Sequence, residues 1–336
     1  MGYDVTQEDL VSLRCRRIGA PHVVILGAGA SVAACPNGDD LGRRLPVMAN
    51  LVEILELNDL IAGAGHDSTI GFESLYSRLH ATDPQSSLVK EIEKRVKDYF
   101  SQLVLPKYPT IYDLLLLSLR GKDAIFTFNW DPFLPDAYDR VARKVPASNL
   151  PNIFHLHGNV RVGFCERCRM AMRKTETCPT CGANVAPTRL LYPVEKKDYA
   201  DSPYLVSQWE DFRKFTARAL IITIFGYSAP TTDQEAMAIF NSAWKDGESH
   251  KFIHRLEIID IRDGNELAWQ WSPFSIFHHY DVRRSIHESL LARYPRRSCE
   301  ALFQSNYEGK FVEPIAWAGN LEGVGDDLAE LVAQEN

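Results

Sequence analysis

The segment HVVILGAGAS, residues 22–31, constrains the fold more than any other stretch of this chain. Val23–Leu26 is a short uninterrupted apolar run, the pattern of a strand buried on both faces of a parallel sheet. Gly27, Ala28, Gly29, Ala30 and Ser31 follow with no spacer. Glycines at such a point let the backbone approach a pyrophosphate and let the next helix pack closely on the sheet. A strand that merely ends in a tight glycine turn reads the same way, so the motif alone leaves both open.

Two later runs end in polar residues. FTFNWD (Phe126–Asp131) sets Asn129 and Asp131 just past one, and FHLHG (Phe154–Gly158) sets His155 and His157 at the end of another. Between and beyond them the periodicity predicts helices at 47–57, 72–80, 86–103, 111–119, 234–244 and 283–293. It predicts strands at 124–128, 151–156, 219–225 and 256–261. Apolar strands alternating with helices imply an α/β fold: a Rossmann-like, doubly wound parallel sheet with helices on both faces. Such a sheet gathers its strand ends around one crevice.

Composition narrows the class. Of 336 residues, 45% are hydrophobic and 24% charged, the balance of an ordinary globular protein. No apolar run reaches the length of a membrane span, and the charged opening MGYDVTQEDLVSLRCRR lacks the apolar centre of a signal peptide. A net charge of −7 argues against broad nucleic-acid binding, so neither membrane nor direct nucleic-acid association is expected. Seven cysteines, an odd number, point to a reducing, cytoplasmic setting rather than a disulfide framework.

Four of those cysteines cluster. Cys165/Cys168 and Cys178/Cys181 are two CxxC pairs with nine residues between them, inside a basic stretch with little core material. Each pair aims two thiolates at one ion, and four thiolates complete a tetrahedral Zn²⁺ site with no open position for chemistry. A structural zinc is therefore expected, in a module at 160–190 inserted into a single domain spanning 1–336.

The remaining polar signals lie at strand ends. Asn129 can hold a ribose hydroxyl or orient a water, or simply belong with Asp131 to an Asx turn. His155 and His157 alternate onto one face, and His157, beside Gly158, suits a general base near neutral pH. GYSAPTTD (Gly226–Asp233) brings small and hydroxyl residues to another strand end, where Thr231, Thr232 or Asp233 would also cap the next helix. Asp260 ends the run LEIIDI. No role is assigned to His278 or His279.

In order and spacing these motifs resemble the sirtuin-like superfamily. GAGAS resembles its opening NAD loop and TFNWD its Thr-x-Asn-x-Asp stretch. LHG resembles its His-Gly, the two cysteine pairs its zinc ribbon, and GYS its Gly-Thr-Ser loop. The likeness runs from about Val23 to Ile261. It implies that Asn129 holds the water or the nicotinamide-ribose hydroxyl, and that His157 is the base or orients the ribose. It implies pyrophosphate contacts for Gly27, Ala28, Gly29 and Ser31, and ribose or adenine contacts for Asp131, Gly226, Ser228 and Asp260. The chain departs from the deacylases of the family. SVAACPNGDD replaces their Ile-Pro-Asp-Phe-Arg segment, and YPVEKKDY lacks the Phe-Gly-Glu strand that pairs with a substrate peptide. The overall pattern is closer to the bacterial antiphage branch, which destroys NAD⁺. That resemblance implies an NAD⁺ hydrolase, homo-oligomeric, activated by assembly or by a partner such as a defence-system ATPase or sensor. An NAD-dependent deacylase and a non-catalytic NAD or ADP-ribose binder are the alternatives.

Overall fold

Among the described residues nine strands appear in chain order: β1 (His22–Leu26), β2 (Ala124–Thr127), β3 (Asn152–His155), β4 (Val162–Cys165), β5 (Met170–Arg173), β6 (Ala186–Pro187), β7 (Ile221–Phe225), β8 (Arg255–Ile259) and β9 (Tyr280–Arg283). Six of them form one sheet in the order β3-β2-β1-β7-β8-β9, and every neighbouring pair is parallel. The strand order reverses between β1 and β7, which makes their carboxyl ends the switch point of a doubly wound sheet. The computed structural model describes residues 18–194 except 68, then 202–230, 233–246, 255–271 and 280–314 except 312, with positions 328, 332 and 333. Thr231, Thr232, His278, His279 and residues 195–199 of YPVEKKDY lie outside the described residues.

Alternation along β1 sends Val24 and Leu26 to one core and Val23 and Ile25 to the other. On the first face, α1 (Phe72–Thr82) and α2 (Ser87–Gln102) bury apolar stripes; α2 covers Val89, Ile92, Val96 and Phe100, and Ser86 caps it by accepting from Val89 N–H. α3 (Ile111–Ser118) is buried from Tyr112 to its end and starts at a Thr110/Asp113 capping box. On the second face lies α4 (Pro203–Arg218), with Ser202 as its cap and Pro203 at its first position. Its Phe212 meets Phe126 of β2 edge-on, with ring centroids 5.0 Å apart.

Two expected helices are not as the periodicity predicts. Of the expected 47–57 helix only Leu51–Ile54 is helical, and Glu56 at φ 52° separates it from a second short helix, Asn58–Gly63, that begins beyond the expected end. The 283–293 helix gives way to strand β9, a short 3-10 turn at Ile286–Glu288 and a turn of α-helix at Leu290–Arg293. Ser285 and Ser289 explain the break. Their hydroxyls accept from His287 and Ala292 N–H, so each starts a new element where one helix would have continued.

A buried polar chain crosses β1, β7 and β8 beneath these last turns. Ser298 Oγ lies 2.8 Å from His22 Nδ1, and His22 Nε2 lies 2.8 Å from Thr223 Oγ1. Thr223 donates to Glu257 Oε2 at 3.1 Å, and Leu290 N–H donates to Glu257 Oε1. Burial pushes the Glu257 carboxyl up to about 7 and pulls the His22 ring down to about 3, so both are neutral under this sheet at mildly acidic pH. For Glu257 the folded chain keeps a proton that the unfolded chain has released above about 4.5. Its contribution is thus present in acid and lost as pH rises through about 7. Relative to the parent, Glu257→Gln should gain about 3 kcal/mol between pH 4 and pH 8, read from urea unfolding at each pH. A difference that does not change with pH would show that Glu257 ionises freely in the folded protein.

Candidate active site

At the switch point the loops after β1 and β7 cross in contact. Gly27 N–H donates to the Phe225 carbonyl and Gly29 N–H to the Gly226 carbonyl, each at 3.0 Å. A Cβ on Gly27 would lie 2.5 Å from Gly226 O, and one on Gly29 would lie 2.9 Å from Gly226 Cα. Gly226 itself has φ +62°, and a Cβ there would lie 2.3 Å from Ala30 N. The glycines are therefore demanded by the crossing of two backbones. The expected pyrophosphate approach is a separate matter that this packing neither needs nor uses. Ala28 opens the seven-residue helix Ala28–Ala34 directly after the crossing.

Asn129 follows β2 and is 7% exposed. Its Nδ2 donates to the Gly27 carbonyl at 2.9 Å and to Ser31 Oγ at 3.0 Å. A carbonyl can only accept, so the Gly27 contact fixes which end of the amide is nitrogen. Asn129 Oδ1 is then turned away, buried, with no hydrogen-bond partner among the described residues. Ser31 Oγ donates to Asp131 Oδ2 at 2.6 Å and lies 2.6 Å from the Tyr112 hydroxyl. With its proton on Asp131, both of its lone pairs are used by Tyr112 and Asn129. Asp131 also accepts from Phe133 N–H at 3.1 Å, the Asx-turn role open to it from sequence. Burial pushes its carboxyl up to about 6.

The two histidines separate. Strand β3 ends at His155, whose side chain follows the face of Ile153; burial, with Arg173 nearby, pulls its ring down to about 3. Such a ring stays neutral and accepts protons poorly. The chain then turns, so strand alternation does not reach His157. His157 is 6% exposed and stands edge-on to Phe128 at 4.7 Å, with Nε2 3.8 Å from Asp233 Oδ1. Gly158, at φ +76°, has no room for a side chain: its Cβ would lie 2.1 Å from Arg189 O. Asn159 ties the loops together, donating through Nδ2 to the backbone carbonyls of Asp131 at 2.7 Å and Asn129 at 3.3 Å. Asn129 and His157 thus follow the carboxyl ends of two adjacent strands, β2 and β3.

No family model and no curated protein matches this chain. Among solved structures, a Sir2 homologue in complex with NAD is 15% identical, aligned over 99% of this chain and 96% of its own, with a TM-score of 0.40. Sir2 in complex with an inhibitor, 2′-O-acetyl-ADP-ribose and a deacetylated peptide is 16% identical over 90% of this chain and 99% of its own, at 0.37. A mutated Sir2 homologue in complex with 2′-O-acetyl-ADP-ribose is 14% identical over 90% and 98%, at 0.43.

The other expected contacts are arranged differently from one another. Ser228 is exposed at the rim, and its carbonyl accepts from the Gln270 amide. Asp260 lies just past β8 and is taken up by Arg262, which reaches Oδ2 through Nη2 at 2.8 Å and Nε at 3.1 Å. A ribose hydroxyl at Asp260 would compete with that guanidinium. Tyr112, Asn159 and Tyr227 were not singled out from sequence. Tyr112 lies in an apolar helical run, and its hydroxyl in that run was the available signal. Asn159 directly follows the His157-Gly158 pair.

The cysteines meet as expected. All four Sγ atoms lie within 4.8 Å of one another, with Cys165–Cys181 at 3.5 Å and Cys168–Cys178 at 3.9 Å. Zn–S bonds of about 2.3 Å in a tetrahedron require sulfur–sulfur edges of about 3.8 Å, so this donor set fits zinc. The distances are far from the ~2.0 Å of a disulfide. Each knuckle turns through a left-handed residue after its second cysteine, Gly182 at φ +70° and Arg169 at φ +52°. β4, β5 and β6 make a small antiparallel sheet around the cluster. Its own apolar core amounts to Cys165, Cys178 and Val185 with a few half-buried neighbours, too little to hold it without the metal. Phe164 of β4 instead packs on Tyr204 of α4 at 5.5 Å, joining the module to the main core. Purified protein should carry about one zinc per chain by elemental analysis, and Cys178→Ser should lose it. Metal-free protein with a protected module by hydrogen exchange would refute the assignment.

Proposed function

We propose that this chain is an NAD⁺ hydrolase that splits the nicotinamide–ribose bond, giving nicotinamide and ADP-ribose. The observation that carries the reading is Asn129. Its amide nitrogen is fixed by Gly27 and Ser31, and its buried Oδ1 faces no protein donor among the described residues. Leaving a buried acceptor unmet costs about 1–3 kcal/mol, a penalty that a ribose hydroxyl or an ordered water would remove. His157, from the neighbouring strand end, accepts the proton of the attacking water. The C1′–N bond breaks with its electron pair leaving on nicotinamide, and the water oxygen bonds to C1′. The transition state is oxocarbenium-like, so the site must chiefly position water, exclude bulk solvent and stabilise developing charge.

The segment after the zinc module favours hydrolysis over peptide deacylation. In its described part, Leu191–Val194 forms no strand. Tyr192 stacks on Tyr76 at 5.1 Å and leans on Trp130 at 5.2 Å, and its hydroxyl donates to the Glu93 carbonyl at 3.0 Å. A segment anchored this way is not displayed as an edge for a substrate peptide. In this reading the protein is cytoplasmic, works as a homo-oligomer and is an effector of bacterial antiphage defence, switched on by assembly or by a protein partner. No helix among the described residues is long and apolar enough to cross a membrane. The test is mass spectrometry of NAD⁺ incubated with concentrated protein, with and without an acetylated peptide. Peptide-independent ADP-ribose supports hydrolysis. O-acetyl-ADP-ribose formed only with peptide would replace it with deacylation, and unchanged NAD⁺ would leave a binding protein.

A further inference from the structure

We propose that Asp233 is a positioning residue for His157, and that Tyr227 holds Asp233 in place, so that the base of the proposed reaction works as a three-member relay. Asp233 is 3% exposed and His157 is 6% exposed. One carboxylate oxygen, Oδ1, lies 3.8 Å from His157 Nε2, within ion-pair reach and longer than a hydrogen bond. The other, Oδ2, accepts from the Tyr227 hydroxyl at 2.8 Å. The tyrosine ring is fixed as well: it stacks on Phe128 at 4.2 Å with 1° between planes, and Phe128 in turn meets the edge of His157. His157, Phe128, Tyr227 and Asp233 thus close a circle of contacts drawn from three chain segments. The circle sets both the plane of the imidazole and the side on which it meets a negative charge.

This arrangement selects a tautomer. A carboxylate opposite Nε2 favours the proton on that nitrogen, which leaves Nδ1 as the lone-pair nitrogen that takes the substrate proton. It also favours the imidazolium formed when that proton arrives. Among the described residues, the titratable groups facing the ring from the segment after β7 are Asp233 and, through it, Tyr227; Phe128, from the segment after β2, is apolar. His155, two residues earlier, is held neutral by its own burial. Asp233 also precedes the helix Gln234–Asp246, the place where sequence alone offered it as an end cap.

The proposal rests on the hydrolase reading for its chemistry, but its first test does not need turnover. Long-range ¹H–¹⁵N spectra of the full chain, with the His157 signal assigned through His157→Gln, report both tautomer and titration midpoint. The parent should show the Nε2–H tautomer. Asp233→Asn should lower the midpoint by about one unit or more and weaken the preference for the Nε2–H tautomer, because the neutral amide removes the negative charge that faces Nε2. Tyr227→Phe, which keeps the ring stack, should move the midpoint in the same direction by less, and Asp233→Glu should restore much of it. In turnover, Asp233→Asn should lower kcat with KM nearly unchanged and displace the acid limb of the pH profile by the shift seen in the spectra. An unchanged tautomer and midpoint in both Asp233→Asn and Tyr227→Phe would overturn the relay. If the parent shows the expected tautomer and shift but never cleaves NAD⁺, the relay stands and the hydrolase reading fails.

Discussion

Asn129→Ala and His157→Ala should each lower NAD⁺ turnover by about 10²–10⁴-fold, the usual range for removing a general base or a group that orients the reacting atoms. Asn129→Ala removes the only described side chain that joins the Gly27 carbonyl to Ser31, so it should also cost about 1 kcal/mol of stability. His157→Ala removes a ring packed on Phe128 and Asp233 and should behave similarly. Both variants should keep their zinc, because the cysteine cluster shares no ligand with either. The informative control is His155. Its ring is held neutral by burial, so His155→Gln should change stability far more than turnover. Steady-state assays with denaturant unfolding on the same preparations separate the two effects. Near-parental turnover in either the Asn129 or the His157 variant would make that residue part of the scaffold alone.

Gly226→Ala should destabilise the protein by about 2–5 kcal/mol, the sum of a left-handed backbone on a residue with a Cβ and of overpacking against fixed backbone. Its Cβ would lie 2.3 Å from Ala30 N and 2.5 Å from Gly29 C, and neither atom can rotate away. Gly65 is the matched comparison. It too has positive φ, +78°, but a Cβ there meets nothing within 4 Å. Gly65→Ala should therefore carry only the backbone term, about 1–2 kcal/mol. Equal losses in the two variants, measured by urea unfolding, would mean that the loops after β1 and β7 do not cross in contact. The same geometry changes what Gly29→Val would report. A side chain at Gly29 meets Gly226 first, so lost NAD⁺ binding in that variant would follow from a disrupted crossing whether or not a pyrophosphate sits there.

Much of the scaffold was legible because its signals are local. Five of the six strands of the main sheet, the long helix with Ser86 at its head and the four-thiolate cluster each follow from spacing within a few residues. The sixth strand, β9, was not legible. YDVR is too short to show a period against the helix-forming residues after it, and only its pairing with β8 makes it a strand. α4 was not legible, since its 16 residues mix polar and aromatic positions that make sense once Phe126 and Phe164 are opposite them. The candidate site was legible as a set of strand-end residues but not as an arrangement. Asn129 and His157 stood out because polar groups closing apolar runs must find partners. Ser31 and Asp131 stood out for the same reason, yet they are partners of each other. Asp260 was visible as a strand-end acid, while the Arg262 that occupies it was two residues away and silent.

The sequence by itself determined the layered α/β plan, the positions of the strand ends and the composition of the metal cluster, because each depends on periodicity or on donors close together in the chain. Tertiary structure alone decided which strand ends meet. The order β3-β2-β1-β7-β8-β9 brings residue 27 against residue 226 and residue 157 against residue 233, across separations at which local pattern carries no information. It decided the use of the glycines, which depends on a second backbone passing within van der Waals distance. It decided the difference between His155 and His157 as well. Two histidines two residues apart in one motif differ because one is desolvated beside a strand and the other faces a buried carboxylate, and burial and charge are properties of what surrounds a side chain in space.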